Sequence, residues 1–499
     1  MKTRGASTVA VAGTLIVGLL IGAGAIYALA PSLGLVSTST ASGATTTKTA
    51  TTTTTAITTT TVGAGATVTA TTTVAGGTTT VTTTAAGAVQ GINGSLLIGA
   101  AQAAGNISGT FTVGVLEDLT SDLASQGISD KATTQLAITD INSWLATTPL
   151  AGKVTFVSNI QDYALDNAKA STIMNSFLTQ GIHVVVGPLN SGTAGALIPF
   201  ANSNHVVMIS QSSTNPNIAI PWDYLYRTPP ADQFQAKADK AEFVQSGVQD
   251  VVIVYRNDGY GAGLANATAA EFKAAGGHVE ASIPYDTTTS NFVPILGTVN
   301  DAYNSAVGKY GATHVALYFI SFGEFGKIAA QASTNYAALL KTPLPWFGTD
   351  GEGNQASIVN STFASTVIQT RMAASFPGFT DSKLTQSVCA RQLAAVSTLC
   401  DGYSVGAYDD TWLAALAILY CHGQDGVCIH AVIPSVAATF NGASGVPILN
   451  TAGDRLYASY VFFCIVPGTA TGSAKWIVCG TWDQATDKVV WTAKPSGLP

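Results

Sequence analysis

The stretch GPLNSGTAGALIPFANSNHVVMISQSSTNP, residues 187–216, decides the fold. It leaves the apolar run HVVVGP (183–188), crosses a segment of helical composition (191–203) and enters a second apolar run, HVVMIS (205–210). Short runs of Val, Ile and Met bounded by Gly, Pro and Ser read as buried strands, and a helix between two of them makes one unit of a parallel sheet. Ser191 stands just after the first strand, and Ser212, Ser213 and Thr214 just after the second. In parallel sheets, ligands sit beyond the carboxyl ends of the strands. A helix beginning near Ser191 would aim unpaired N–H groups and a partial positive charge at that edge, which suits a carboxylate. Helix caps and turns are the ordinary alternative uses of these Ser and Thr residues.

Outward from this stretch the pattern repeats. FTVGVLEDL (111–119), VTFVSN (154–159), DVVIVYR (250–256), HVEASIPY (278–285), HVALYFI (314–320) and PWFGTD (345–350) read as further strands. Between them lie helical segments, one with Ala137, Ile138, Ile141 and Leu145 on a single face. Strand and helix alternating every 20 to 30 residues is the pattern of α/β lobes with helix-covered parallel sheets. YRNDGYGAGL (255–264) has Leu264 where a dinucleotide loop needs its third glycine, so it reads as a turn displaying Tyr260. FGTDGEGN (347–354) puts Asp350 at another strand end, where it could meet a ligand ammonium or simply shape a turn. G-x-S-x-G, H-E-x-x-H and Walker A motifs are absent, and no nucleophile is paired with a base. Neither an enzyme nor a bound cofactor or metal is expected.

Composition limits the partners and the compartment. Only 10% of the 499 residues are charged and the net charge is −7 with no basic cluster, which disfavours nucleic acid. Lys2 and Arg4 precede 25 uncharged residues, Ala6–Ala30, enough for a bilayer-spanning segment with the chain outside. The same segment could be a signal, and KTRG before an apolar stretch resembles the pilin-type signals of archaeal surface proteins. From Thr45 to Thr84, 24 of 40 residues are Thr, which predicts a disordered, extended stalk. Asn93, Asn106, Asn266 and Asn360 head possible N-glycosylation sequons. Cys389, Cys400, Cys421, Cys428, Cys464 and Cys479 are even in number and clustered, so they read as three disulfides between sequence neighbours. CHGQDGVCIH (421–430) could alternatively hold zinc, with the nearest-neighbour disulfide the plainer reading.

From about Phe111 to Trp482 the chain resembles the type I periplasmic binding proteins of the branched-chain amino-acid (Leu/Ile/Val) type, the solute receptors of ABC importers. The resemblance rests on VGVLEDLTSDLASQG (113–127), the opening stretch, LYRTPPADQFQA (225–236), VVIVYRNDGYGAGLANATAAEF (251–272), WFGTDG (346–351) and GVPILNTAGDRLYASYVFF (445–463). It implies two doubly wound lobes joined by three crossovers, closing on an amino acid. It further implies a carboxylate clamp from Ser191, Ser212, Ser213 and Thr214, and an ammonium contact from Asp350 shared with Thr214. Tyr260 would cover the ligand. Gln126 and Ser321 stand where the family often has aromatics, so the side-chain pocket departs from its pattern.

The resulting expectation is an extracytoplasmic, membrane-anchored or pilin-processed monomer at the cell surface. It would capture an amino acid, branched-chain or otherwise apolar, and hand it to an ABC permease. A sensory or adhesive module of the same fold without a transporter is the alternative. The boundaries read from sequence are an anchor at 1–30, a stalk at 31–108, first lobe 109–230, second lobe 231–350, a mixed return at 351–434 and a second-lobe closing segment at 435–499.

Overall fold

The computed structural model describes Thr67–Val74, Gly77–Thr84 and residues 91–499 except Ser397. The expected anchor at 1–30 lies outside the described residues, and among those described no helix is long and apolar enough to cross a membrane. Within the Thr-rich tract β1 (Thr67–Val74) pairs antiparallel with β2 (Gly77–Thr84), where a disordered stalk was expected. The β-branched Thr and Val that dominate both segments favour strands.

Then follow α1 (Gly94–Ala104), β3 (Gly109–Glu117), α2 (Ala124–Leu145), β4 (Val154–Asp162), α3 (Asn167–Thr179), β5 (Val184–Val186), α4 (Ser191–Asn204), β6 (Val207–Ser210) and β7 (Leu225–Arg227). The five strands β3 to β7 form one parallel sheet in the order β4-β3-β5-β6-β7. The chain continues through α5 (Asp232–Gln245), β8 (Asp250–Arg256), α6 (Gly259–Ala274), β9 (His278–Tyr285), α7 (Val293–Tyr310), β10 (Val315–Ile320), α8 (Phe325–Asn335), β11 (Phe347–Gly348), α9 (Ala364–Thr370) and β12 (Ala373–Pro377). Helices α10 (Lys383–Val396), α11 (Gly402–Tyr420) and α12 (Gly426–Thr439) precede β13 (Tyr460–Pro467), β14 (Ala474–Asp483) and β15 (Lys488–Trp491). The second sheet runs β15-β14-β13-β12-β11-β10-β8-β9. Its β8 to β12 are parallel, and β13, β14 and β15 extend it antiparallel.

Both sheets are wound 2-1-3-4-5, an order that leaves a crevice where the strand order reverses. The inner parallel strands β5, β6, β8 and β10 are covered on both faces, which is why they read as unbroken apolar runs. Three crossings join the lobes, between β7 and α5, β12 and α10, and α12 and β13. The second lobe therefore runs on to Pro377, past the expected limit at 350, and α10 to α12 return to the first lobe as far as Thr439. The folded body also begins before residue 109. Ile92, Leu96, Leu97 and Ala100 are buried, and α1 packs against α11, whose Trp412, Leu416 and Leu419 are wholly covered.

Candidate functional site

Both sheets direct their carboxyl ends at one narrow cleft between the lobes. On the first-lobe side the turn after β5 is set by Gly187, at φ +106°; a Cβ there would lie 2.4 Å from the Leu116 carbonyl oxygen. The turn delivers Ser191 as the first residue of α4, buried at the cleft wall. Its Oγ accepts from the Thr214 and Asn215 N–H groups at 3.1 and 3.2 Å, leaving the hydroxyl proton free. Ser212 also lines the cleft, with its Oγ donating to the Leu189 carbonyl. Leu123, Leu189 and Gln126 complete this wall.

Asp350 anchors the second-lobe side. It follows β11, is 5% exposed, and accepts from Tyr260 Oη at 2.7 Å, Gln235 Nε2 at 2.7 Å and the Tyr403 hydroxyl. Burial pushes its carboxyl above the usual range, and the three donors oppose that shift. Gly351 permits the close approach; a Cβ there would lie 2.1 Å from the Ser321 carbonyl oxygen. Tyr260 sits in the first turn of α6, where a turn was expected, because Asp258 accepts from Gly261 N and caps the helix. Its ring stacks on Phe322 at 5.3 Å, and the Arg256 guanidinium lies 3.5 Å from the centre of the Phe322 ring. Arg256 is held in turn by Glu324 at 2.8 Å and Asp258 at 2.6 Å. A flat aromatic wall is thus fixed from behind.

The lobes touch at both margins. Gly323 N donates to the Asp122 carbonyl at 3.0 Å, and Asn354 Nδ2 to Asp401 Oδ2 at 2.8 Å. Asn215 Nδ2 reaches the Gly259 carbonyl. At a crossing, Arg227 Nε meets Asp454 Oδ1 at 2.6 Å with both side chains buried.

Of the eight residues expected to bind ligand, Gln126, Ser191, Ser212, Tyr260 and Asp350 come together in the cleft lining. The other three do not. Ser213 is buried behind the wall, its Oγ donating to the Pro188 carbonyl at 3.3 Å. Thr214 is buried outside the cleft lining, its carbonyl accepting from Asp232 N at 2.9 Å and its Oγ1 without a hydrogen-bond partner among the described residues. Ser321 donates through N and Oγ to the buried Glu352. The Glu352 carboxyl is pushed up to about 8 by burial, against hydrogen bonds from Ser321 and Thr349. Sequence reading missed Tyr403, Gln235 and Gln355. Tyr403 had one available signal, the helix start DGYSVG (401–406), where Asp401 and Ser404 form a capping box.

The disulfides join Cys389 to Cys400, Cys421 to Cys428 and Cys464 to Cys479, as the spacing suggested. The second removes the zinc alternative, since oxidised cysteines are not thiolate ligands. All four sequon asparagines are exposed.

Residues 130–465 match the family described as receptor family ligand binding region. The chain belongs to this family. An uncharacterized protein of Methanocaldococcus jannaschii is 28% identical over 427 residues, spanning 80% of this chain and 98% of that protein. Among solved structures, the leucine binding protein LivK of Thermotoga maritima superposes with a TM-score of 0.61 at 18% identity, over 75% of this chain and 99% of its own. The branched-chain amino-acid substrate binding protein LivJ of Streptococcus pneumoniae, solved with isoleucine, gives 0.58 at 20% identity, over 74% and 100%. The fold is that of the type I periplasmic binding proteins.

Proposed function

We propose that this protein captures an amino acid between its lobes at the cell surface and presents it to an ABC importer. The observation that carries the reading is the juxtaposition across one cleft of the α4 N-terminus with Ser191 and the buried Asp350. A helix N-terminus with a free hydroxyl proton complements a carboxylate. A desolvated aspartate that still has room for a donor complements an ammonium. A free amino acid carries both groups on one carbon. Leu123, Leu189 and Phe322 offer apolar surface to its side chain. Contacts from both lobes make the closed form the one that ligand favours, and periplasmic binding proteins are a standing example of such hinge closure. The relatives solved with leucine-type ligands support the amino-acid class, and the long Thr-rich tract supports a body held away from the envelope. Calorimetric titration of the full chain with L-amino acids tests this. Saturable one-site binding supports it, and heat from none of them removes it.

A further inference from the structure

Once the head group is placed, two side-chain amides in the cleft wall, those of Gln126 and Gln355, remain incompletely paired. Gln126, 5% exposed, donates through Nε2 to Asp130 Oδ1 at 2.8 Å and to Asp401 Oδ1 at 3.2 Å. Both acids are themselves held. Asp130 Oδ2 accepts from Gln211 Nε2 at 3.0 Å, and Asp401 accepts from Ser404 N at 2.9 Å and Asn354 Nδ2 at 2.8 Å. The amide is therefore oriented, NH2 toward the acids, and among the described residues nothing donates to its Oε1. Gln355, 1% exposed, lines the same cleft and its Oε1 is buried without a partner. Asn190 Oδ1 accepts from Tyr163 Oη at 2.8 Å, leaving its Nδ2 beside Ser191 for the head-group carboxylate, and Ser212 donates to Leu189. Among the described residues no lysine or arginine lines the cleft. Gln126 Oε1 is thus an acceptor fixed at the cleft, and the Gln355 amide, with neither end hydrogen-bonded among the described residues, can turn its own oxygen to the same donor; an apolar side chain would leave both amides unpaired at a free-energy cost.

We infer that the cleft selects an amino acid whose side chain ends in a nitrogen hydrogen-bond donor, a carboxamide or an ammonium, over a branched apolar one. The inference rests on the amino-acid reading above and narrows it. The methylenes of such a side chain lie against Leu123, Leu189 and Phe322, and its terminal N–H groups meet Gln126 and Gln355.

The test is calorimetric titration of the full chain with L-glutamine, L-lysine, L-methionine, L-norleucine and L-leucine. Glutamine or lysine binds at least roughly tenfold more tightly than the apolar three, because a site built to receive donors rejects analogues lacking them. Glutamine ahead identifies the carboxamide, and lysine ahead the ammonium. Gln126→Met also strips a partner from Asp130, so Gln355→Met is the cleaner variant; it reduces the preference for glutamine or lysine over methionine at least about threefold. Apolar amino acids binding as tightly as glutamine and lysine overturn the inference while leaving the amino-acid site standing. An unchanged preference in Gln355→Met overturns the role given to Gln355. Binding of none of the five overturns this inference, and the amino-acid reading then stands or falls on the remaining L-amino acids.

Discussion

Replacing Asp350 by asparagine separates the site's charge from its packing. The carboxylate is buried and accepts from Tyr260, Gln235 and Tyr403. Asparagine is nearly isosteric, keeps one oxygen acceptor, and lets a tyrosine hydroxyl turn round to accept from the new NH2. The ammonium of the proposed ligand, by contrast, loses the one carboxylate that lines the cleft among the described residues. Truncating one partner of a desolvated charge pair costs about 2–5 kcal/mol, which is a roughly 30- to 4000-fold weaker Kd at about 1.4 kcal/mol per tenfold. Stability in the absence of ligand moves differently. Burial already holds the Asp350 carboxyl above its usual range, so neutralising it removes a desolvation cost. The ligand-free Tm should therefore stay level or rise. Asp350→Ala should lower it, because three buried donors lose their acceptor at about 1–3 kcal/mol each. Titration calorimetry and scanning calorimetry on both variants read these quantities. An Asp350→Asn affinity within threefold of the parent refutes the ammonium assignment.

Ser191→Ala should weaken ligand binding by about 1.5–3 kcal/mol, the usual worth of a hydrogen bond to a charged group, while Ser213→Ala leaves Kd unchanged by titration calorimetry. Equal losses in the two would mean that Ser191 acts only as a loop tie. Stability should fall as pH rises from about 4.5 to 8, followed by Tm in a buffer series. Burial lifts Glu352 to about 8, Asp239 to about 7 and Asp409 to about 6, and raises Glu117, Asp130, Asp232, Glu242 and Asp410. Each such group binds its proton more readily folded than unfolded, so its contribution is complete below the ordinary carboxylate range and is lost through its folded pKa. A Tm that climbs between pH 5 and 8 contradicts this. At pH 3 the near-ultraviolet circular dichroism should persist, since only 21 Lys and Arg and six His are left to repel one another; its loss with far-ultraviolet signal retained would indicate a molten state.

What the sequence made legible follows from how local each signal is. The strands announced themselves because buried parallel strands such as Val184–Val186 and Val251–Val254 are apolar on both faces. Ser191, Tyr260 and Asp350 were found because each follows such a strand closely. Three adjacent hydroxyls at 212–214 could not be sorted, since a rotation of one residue in a loop decides which faces the cleft. Tyr403 lies on a helix that returns to the first lobe, so only the lobe-to-lobe arrangement aims it at Asp350, and Gln235 reaches Asp350 through the packing of α5 on the second sheet, 115 residues away in sequence. Helix α1 hid inside an Ala- and Gly-rich stretch, its burial depending on α11, whose residues are about 300 positions away. The extension of the second lobe to Pro377 was likewise invisible, because β12 is identified by pairing with β11 and β13 rather than by its own pattern.

The central claim is that one cleft reads both charged groups of a free amino acid. Thermal shift of the full chain against an L-amino-acid panel, with the N-acetyl and methyl-ester derivatives of the best ligand, tests it most directly. A ligand at 100 times its Kd adds about 2.7 kcal/mol, which for residues 91–499 is a rise of about 3 °C. That rise should appear for the free amino acid and be absent for both blocked forms. Equal rises for the blocked forms would contradict it, because neither the α4 N-terminus nor Asp350 could then be reading the head group.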